Sequence, residues 1–433
     1  MIHPEEMPRM VYANAKGEIL DLPDLEMAGR SGTHIRRPEL FELIPLPQGS
    51  LLFMLPGRYP VGIDPRGGRP IRVTQTPPEA EGPITAVGAF MAPAYTAIYS
   101  AAFEKADGEV PVLPLFAYTA VGWHKGRFWV AAFRCDPDPR QDADRFDYRR
   151  IEEKTQRQMK RVPQNRLIQH LGKCSLVYRC PAACNYFLGR WEAPVPTSPA
   201  CNADCLGCIS LQTSGCCPAP QERIAFVPTP EEIGELVVPH LQKAPRPVAS
   251  FGQGCEGEPL LQAEVIETAI RKIRKETSRG TINLNTNASL PDRLDRLARA
   301  GLDSIRVSLN SARKDPYTLY YRPRGYSFDE VIASIAVMKK RKRFVSLNYF
   351  ILPGFTDDPE EMAALMDLLA RWEPELIQLR NLNMDPDLYL EGVKHRAKGE
   401  PVGILHWLKT LKKNFPRLRF GYFNPYLGGR AAQ

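Results

Sequence analysis

Between about residues 228 and 380 the apolar positions switch repeatedly between two periods. Val248-Ala-Ser-Phe251, Thr281-Ile-Asn-Leu284, Ser304 to Leu309, Val345 to Leu352 and Leu376 to Leu379 are short β-prone runs. Between them apolar residues recur every three or four positions. Leu261, Val265, Ile266, Ala269, Ile270 and Ile273 mark one face of such a helix. Helix starts carry capping chemistry in Thr229-Pro-Glu-Glu232, Ser327-Phe-Asp-Glu330 and Asp358-Pro-Glu-Glu361. Pro239 is expected to kink or end its helix early, Gly301 to stop the helix begun at Pro291, and the Ser327 helix to end near Lys342. Strands alternating with helices at this spacing predict βαβ units, a parallel sheet and right-handed crossovers. Functional groups of such barrels gather at the C-terminal strand ends.

The first 165 residues or so read differently. Proline and glycine are frequent and apolar runs are short. Ala117 to Trp123 and Arg127 to Phe133 flank His124-Lys125-Gly126, a hairpin signal. This predicts a mainly β or α+β N-terminal domain over residues 1–165, with no catalytic constellation in it. A cysteine-containing connector over 166–194, the barrel over 195–385 and a C-terminal cap segment over 386–433 complete the expected organisation.

Length and charge narrow the class. The 433 residues, 43% hydrophobic and 24% charged, suit a soluble globular protein of two or three domains. No apolar run reaches the roughly 18 residues of a membrane span. The N-terminus lacks the basic-then-apolar order of a signal peptide, so a cytoplasmic protein is expected. In that compartment the ten cysteines read as ligands or free thiols rather than disulfides. The net charge of +8 is mild, and much of it lies in Lys339-Lys-Arg-Lys-Arg343, which reads as a solvated helix end. That run alone supports a nucleic-acid partner, and no RNA-binding module accompanies it.

Residues 174 to 217 hold eight of the ten cysteines. Cys201, Cys205 and Cys208 form a C-x3-C-x2-C triplet. Three thiolates this close can hold three irons of a four-iron cluster and leave the fourth open to a substrate or cosubstrate. Structural zinc wants four ligands, commonly in two close pairs, and fits the triplet poorly unless Cys216 or Cys217 supplies a fourth. Each later strand run ends in unusual polar residues. After Phe251 comes Gly-Gln-Gly-Cys-Glu-Gly-Glu-Pro259, where glycines allow close backbone approach and Glu256 and Glu258 offer carboxylates. Asn285-Thr-Asn287, Ser308, Asn310, Gln378, Arg380 and Asn381 follow at successive strand ends. Together they outline one pocket opposite the cysteine loop.

On these residues, roughly 195 to 385, the chain resembles the radical SAM superfamily, with its partial (β/α)6 TIM-like barrel. The resemblance implies an oxygen-sensitive [4Fe-4S] cluster on Cys201, Cys205 and Cys208, with S-adenosylmethionine (SAM) on the fourth iron. It places Gly257, Glu258 and Pro259 near the methionine amine. Thr286, Asn287, Ser308 and Asn310 fall at the ribose, and Arg322 at the carboxylate. Gly354 lies in the fifth-strand segment near adenine, and Arg380 would meet a substrate or SAM carboxylate. It implies reductive cleavage of SAM to a 5′-deoxyadenosyl radical, hydrogen abstraction from a substrate the sequence does not identify, and a flavodoxin or ferredoxin as reductant. One residue departs from the family pattern: the position before the third cysteine, often aromatic, is Gly207.

Cys174, Cys180, Cys184, Cys216 and Cys217 are candidates for a second iron–sulfur cluster, against the reading that they pack as small apolar side chains. Cys255 packs in the glycine-rich loop or donates a hydrogen atom. Two other functions compete: an iron–sulfur electron-transfer or binding protein without SAM turnover, and an RNA-modifying radical SAM enzyme. The glycine-rich loop and the ribose-facing residues favour SAM chemistry, since an electron carrier needs neither.

Overall fold

The computed structural model describes residues 3–75, 82–213 and 215–428. The last five residues of the expected C-terminal segment and residues 76–81 of the N-terminal domain lie outside the described residues.

The parallel sheet is present and its strands lie side by side in chain order. They are β1 (Glu192–Val195), β2 (Val248–Phe251), β3 (Thr281–Thr286), β4 (Ser304–Leu309), β5 (Phe344–Ile351), β6 (Leu376–Asn381) and β7 (Arg419–Gly421). That is seven strands among the described residues, one beyond the six of the expected partial barrel. β1 straddles the expected connector boundary and β7 comes from the expected cap segment, where Leu376 pairs with Arg419. Near-complete burial of β2 and β3 fits a sheet covered on both faces.

Among the described residues eleven α-helices accompany the sheet. Three precede the sheet's first strand: α1 (Tyr148–Arg161), α2 (Arg166–Leu176) and α3 (Pro181–Leu188). Leu167, Ile168, Leu171, Tyr186 and Phe187 sink into the barrel core, so α2 and α3 are part of the barrel's packing rather than a free linker. The crossover helices are α4 (Pro230–Lys243), α5 (Ala263–Glu276), α6 (Pro291–Ala300), α7 (Lys314–Tyr321), α8 (Phe328–Lys340) and α9 (Pro359–Trp372). They are followed by α10 (Pro386–Gly392) and α11 (Ile404–Asn414).

The capping boxes at Thr229 and Ser327 form as read, and Asp358 caps α9. Pro239 does not end α4, which continues to Lys243. Beyond the proline, buried Leu241 and a hydrogen bond between His240 Nε2 and the Trp191 carbonyl (3.0 Å) hold the last turn. Packing there outweighs the lost backbone bond. The basic run after α8 is tied down: Lys339 meets Glu373 and Glu375, Arg341 meets Asp295, and Arg343 donates to the Ala298 carbonyl.

From Arg9 to Arg134 the chain is a β domain. Arg9–Ala13 pairs antiparallel with Ile19–Met27, Thr85–Phe90 and Val121–His124. The expected hairpin forms with a two-residue turn, because His124 pairs with Arg127 and both Lys125 and Gly126 have positive φ.

The β domain is clamped onto the C-terminal end of the barrel. Arg58 forms a buried ion pair with Asp385 at 2.5 Å, and Arg30 pairs with Asp387. Asn381, at the end of β6, accepts from Ala97 N–H and donates to the Tyr95 carbonyl. Gly354 meets Gly32 so closely that a Cβ would fall 1.9 Å from the Gly32 nitrogen, and Gly32 N–H donates to the Pro353 carbonyl. Asp136 accepts from the Tyr422 and Phe423 amides.

Candidate active site

The cysteine loop is held by backbone pairing on two sides. On one side the glycine-rich loop after β2 lies against it: Gly257 N–H donates to Ser198 O (2.7 Å) and Glu258 N–H to Ala200 O (2.8 Å). A Cβ on Gly257 would fall 2.0 Å from the Ala200 carbonyl oxygen, so only glycine fits. On the other side Asp204 and Leu206 donate to the carbonyls of Tyr321 and Tyr320 at the end of α7, and Arg324 reaches the Cys201 carbonyl.

Two buried carboxylates lock the loops. Glu256 accepts from Thr197 N–H, Ser198 N–H and Gln253 N–H at 2.7–2.9 Å. Glu258 accepts from Thr286 Oγ1, Asn287 N–H and Leu260 N–H. Burial pushes both carboxyls up to about 7 against these donors. Thr286 and Asn287 are therefore engaged with Glu258, and the Asn287 amide also donates to Asn202.

A cavity of about 340 Å³ opens between the cysteine loop and the strand ends. Cys205, Gly207, Cys208, Glu256, Ser308, Asn348 and Arg380 line it from the barrel. Phe90, Met91, Ala92 and Tyr95 roof it from the β domain. No local sequence pattern signals that roof. Arg306 was also missed, because a lone arginine inside a β-prone run looks like a solvent-facing strand residue. It lines the cavity near Arg380. Gly207 is explained by Tyr320 from α7: a Cβ at 207 would stand 3.0 Å from its hydroxyl oxygen.

The remaining sequence candidates fall outside the cavity wall. Asn310 is buried and donates to the Pro316 carbonyl and the Tyr389 hydroxyl. Arg322 ends α7 in a left-handed turn with its side chain exposed. Gly354 faces Gly32, and Pro259 opens a short 3-10 turn. The five candidate second-cluster cysteines are not gathered at one point. Cys174 lies with Cys255 and Cys180, Cys184 bonds Ser175, and Cys216 and Cys217 pair at 3.5 Å near Asp385.

The donor set of the triplet fits a four-iron cluster. Its three sulfurs do not all lie within 4.8 Å of one another, a spread wider than the roughly 3.8 Å edges around one tetrahedral ion. Burial pushes the Cys201 thiol up to about 11 and the Cys205 thiol well above its usual range, with mutual repulsion adding to Cys205. A polynuclear cation in their midst is what lets such thiols ionise together. Arg223 donates to Cys208 Sγ at 3.5 Å and to Ser210 Oγ at 3.1 Å. A guanidinium on a ligand sulfur favours the more negative, reduced cluster. Arg223→Gln is therefore expected to move the cluster's midpoint potential to more negative values in an anaerobic redox titration. An unchanged or more positive midpoint would remove this role.

These observations define a βα-barrel protein with an open-cluster cysteine loop. Residues 195–366 match the model of the radical SAM superfamily. The family implies a [4Fe-4S] cluster and SAM. Among relatives, the chain is 26% identical over 206 residues to a GTP 3′,8-cyclase of Lactiplantibacillus plantarum, covering 42% of this chain and 57% of that protein. A GTP 3′,8-cyclase of Microcystis aeruginosa is 32% identical over 139 residues, 31% of this chain and 41% of its own length. The chain thus spans about half the length of the curated relatives it matches. A crystal structure of methylornithine synthase (PylB) aligns over 54% of this chain and 66% of its own, at 17% identity and a TM-score of 0.39. Among the described residues no helix is long and apolar enough to cross a membrane.

Proposed function

We propose that this protein is a radical SAM enzyme whose substrate is anionic and is held under the β-domain roof by Arg306 and Arg380. The observation that carries the reading is the pair of guanidiniums facing the same cavity as Cys205 and Cys208. Neither has a carboxylate ion-pair partner among the described residues. Arg306 Nη1 reaches only Gln378 Oε1 at 3.3 Å, and Arg380 donates to the Tyr422 carbonyl while its guanidinium stacks 3.6 Å from the Tyr422 ring. The Nε of each is buried without a partner. Burial first, and then the charge of Arg380, push Arg306 down to about 9, so it stays a cation at neutral pH. Two unneutralised guanidiniums in one pocket are costly until an anion joins them.

When bound, the [4Fe-4S] cluster and SAM supply reductive carbon–sulfur cleavage and a 5′-deoxyadenosyl radical that takes hydrogen from the substrate. The chain's own part is positional. Cys201, Cys205 and Cys208 hold the cluster, and Glu256 and Gly257 fix the loop beside it. Arg306 and Arg380 orient the substrate anion, and Phe90, Met91 and Tyr95 keep water out of the cavity. A flavodoxin or ferredoxin in a reducing cytoplasm would supply the electron.

The relatives' name makes GTP the first anionic substrate to try. Arg306→Met is expected to weaken substrate binding on the order of 10- to 100-fold, the worth of a charge-assisted hydrogen bond, while SAM binding stays unchanged. Parallel binding titrations of SAM and of the nucleotide measure this. Weakened SAM binding with unchanged nucleotide binding would assign the arginines to the cosubstrate instead.

A further inference from the structure

Outside the cavity, a second group of ligating atoms converges behind the glycine-rich loop. His170 Nε2, Cys174 Sγ and Cys255 Sγ all lie within 4.8 Å of one another, a grouping found nowhere else among the described residues. His170 and Cys174 stand one turn apart on α2, and Cys255 comes from the loop after β2. Cys174 Sγ is 3.6 Å from His170 Nε2 and within hydrogen-bonding reach of Cys255. Cys180, the N-cap residue of α3, lies outside that 4.8 Å group and packs beside it. Its sulfur packs in the same small cluster as Cys174 and Cys255 and lies close enough to feel both charges. Burial pushes the Cys180 thiol up to about 11 against the amides of Ala182 and Ala183, a penalty that a bound cation would offset.

We propose that His170, Cys174, Cys180 and Cys255 form a mononuclear zinc site that pins the glycine-rich loop to the connector helices. A tetrahedral zinc with sulfur at about 2.3 Å and nitrogen at about 2.0–2.1 Å has S–N edges of about 3.5 Å and S–S edges of about 3.8 Å. The observed 3.6 Å between Cys174 Sγ and His170 Nε2 matches the first edge. Three thiolates and one imidazole are a common structural zinc set, and the soft donors exclude magnesium and calcium. Cys174 and Cys255 are buried, so an ion there is shielded from solvent, as closed structural sites are.

The placement gives the site its consequence. Cys255 immediately precedes Glu256, whose carboxylate holds the Thr197 and Ser198 amides at the entry to the cysteine loop. The Cys255 carbonyl also accepts from Ile224 N–H at 2.8 Å. An ion binding Cys255 therefore fixes the loop from behind, while the triplet's cluster occupies its front.

The test is metal analysis of full-length protein expressed with iron and zinc, purified anaerobically and carrying its complete [4Fe-4S] cluster. The expected result is about one zinc per chain, with a zinc K-edge spectrum fitting three sulfur donors and one nitrogen. Cys174→Ser and Cys255→Ser are expected to lose the zinc and keep the cluster's iron and visible absorbance. His170→Cys is expected to keep zinc with four sulfur donors, which guards against variants that merely misfold. Three results would overturn the proposal: no zinc in a protein with a complete cluster, zinc retained by both serine variants, or extra iron rather than zinc lost from them, which would mark an iron–sulfur site.

Discussion

Cys205→Ala is expected to abolish reductive SAM cleavage and to strip the protein of most of its cluster iron. Cys205 is the middle ligand of the triplet and stands at the cavity wall beside Gly207 and Cys208. Its thiol is the most strongly disfavoured as a free anion, through burial and then through the charges of Cys208 and Cys201. Alanine leaves two thiolates where three are needed, and no neighbouring cysteine is placed to substitute: Cys216 and Cys217 pair with each other, and Cys174 and Cys255 lie behind the glycine-rich loop. Iron, sulfide and 5′-deoxyadenosine assays of the anaerobically reconstituted variant check this. Wild-type iron content with wild-type 5′-deoxyadenosine formation in the variant would mean the cluster sits elsewhere.

The second large effect is on stability. Arg58→Ala is expected to destabilise the protein by about 3–5 kcal/mol, the range for removing one partner of a buried ion pair. Both side chains are almost fully buried, 1% and 3% exposed. Arg58 also donates to the carbonyls of Pro56 and Pro111. Asp385 in turn caps α10 through the Asp387 and Leu388 amides and accepts from Leu113 N–H. Without the guanidinium, Asp385 is a buried carboxylate at the seam between the β domain and the barrel. Because Met91 and Tyr95 in that domain roof the cavity, substrate binding should weaken in the same variant. Chemical denaturation followed by circular dichroism measures the first effect. An unchanged midpoint would show that the seam does not depend on this pair.

The barrel was legible because its signals are local. Capping boxes at Thr229 and Ser327, the Gly301 stop and five β-prone runs each lie within a few residues of the feature they specify. The two sheet-edge strands were not, because Glu192-Ala-Pro-Val195 contains a proline and Arg419-Phe-Gly421 is only three residues long. Pro239 misled for the opposite reason: its local preference is real, and distant packing of Leu241 and His240 overrides it.

The cysteine triplet and the Gly257-Glu258 motif were legible because their spacing is short. The roof was not, since Phe90 to Tyr95 meet the barrel across more than a hundred residues of chain. The same holds for Cys255, which joins Cys174 only through folding. Glu258, Thr286 and Asn287 do come together, but as one another's hydrogen-bond partners, a relation that residue type alone does not reveal.

The most direct measurement is the anaerobic assay of reconstituted, full-length protein with SAM and dithionite, read as 5′-deoxyadenosine with and without GTP. The wild-type protein is expected to form 5′-deoxyadenosine, and to form it faster when an anionic substrate fills the cavity. A protein that carries its complete cluster and binds SAM, yet forms no 5′-deoxyadenosine under any of these conditions, would contradict the assignment of radical SAM chemistry to this chain.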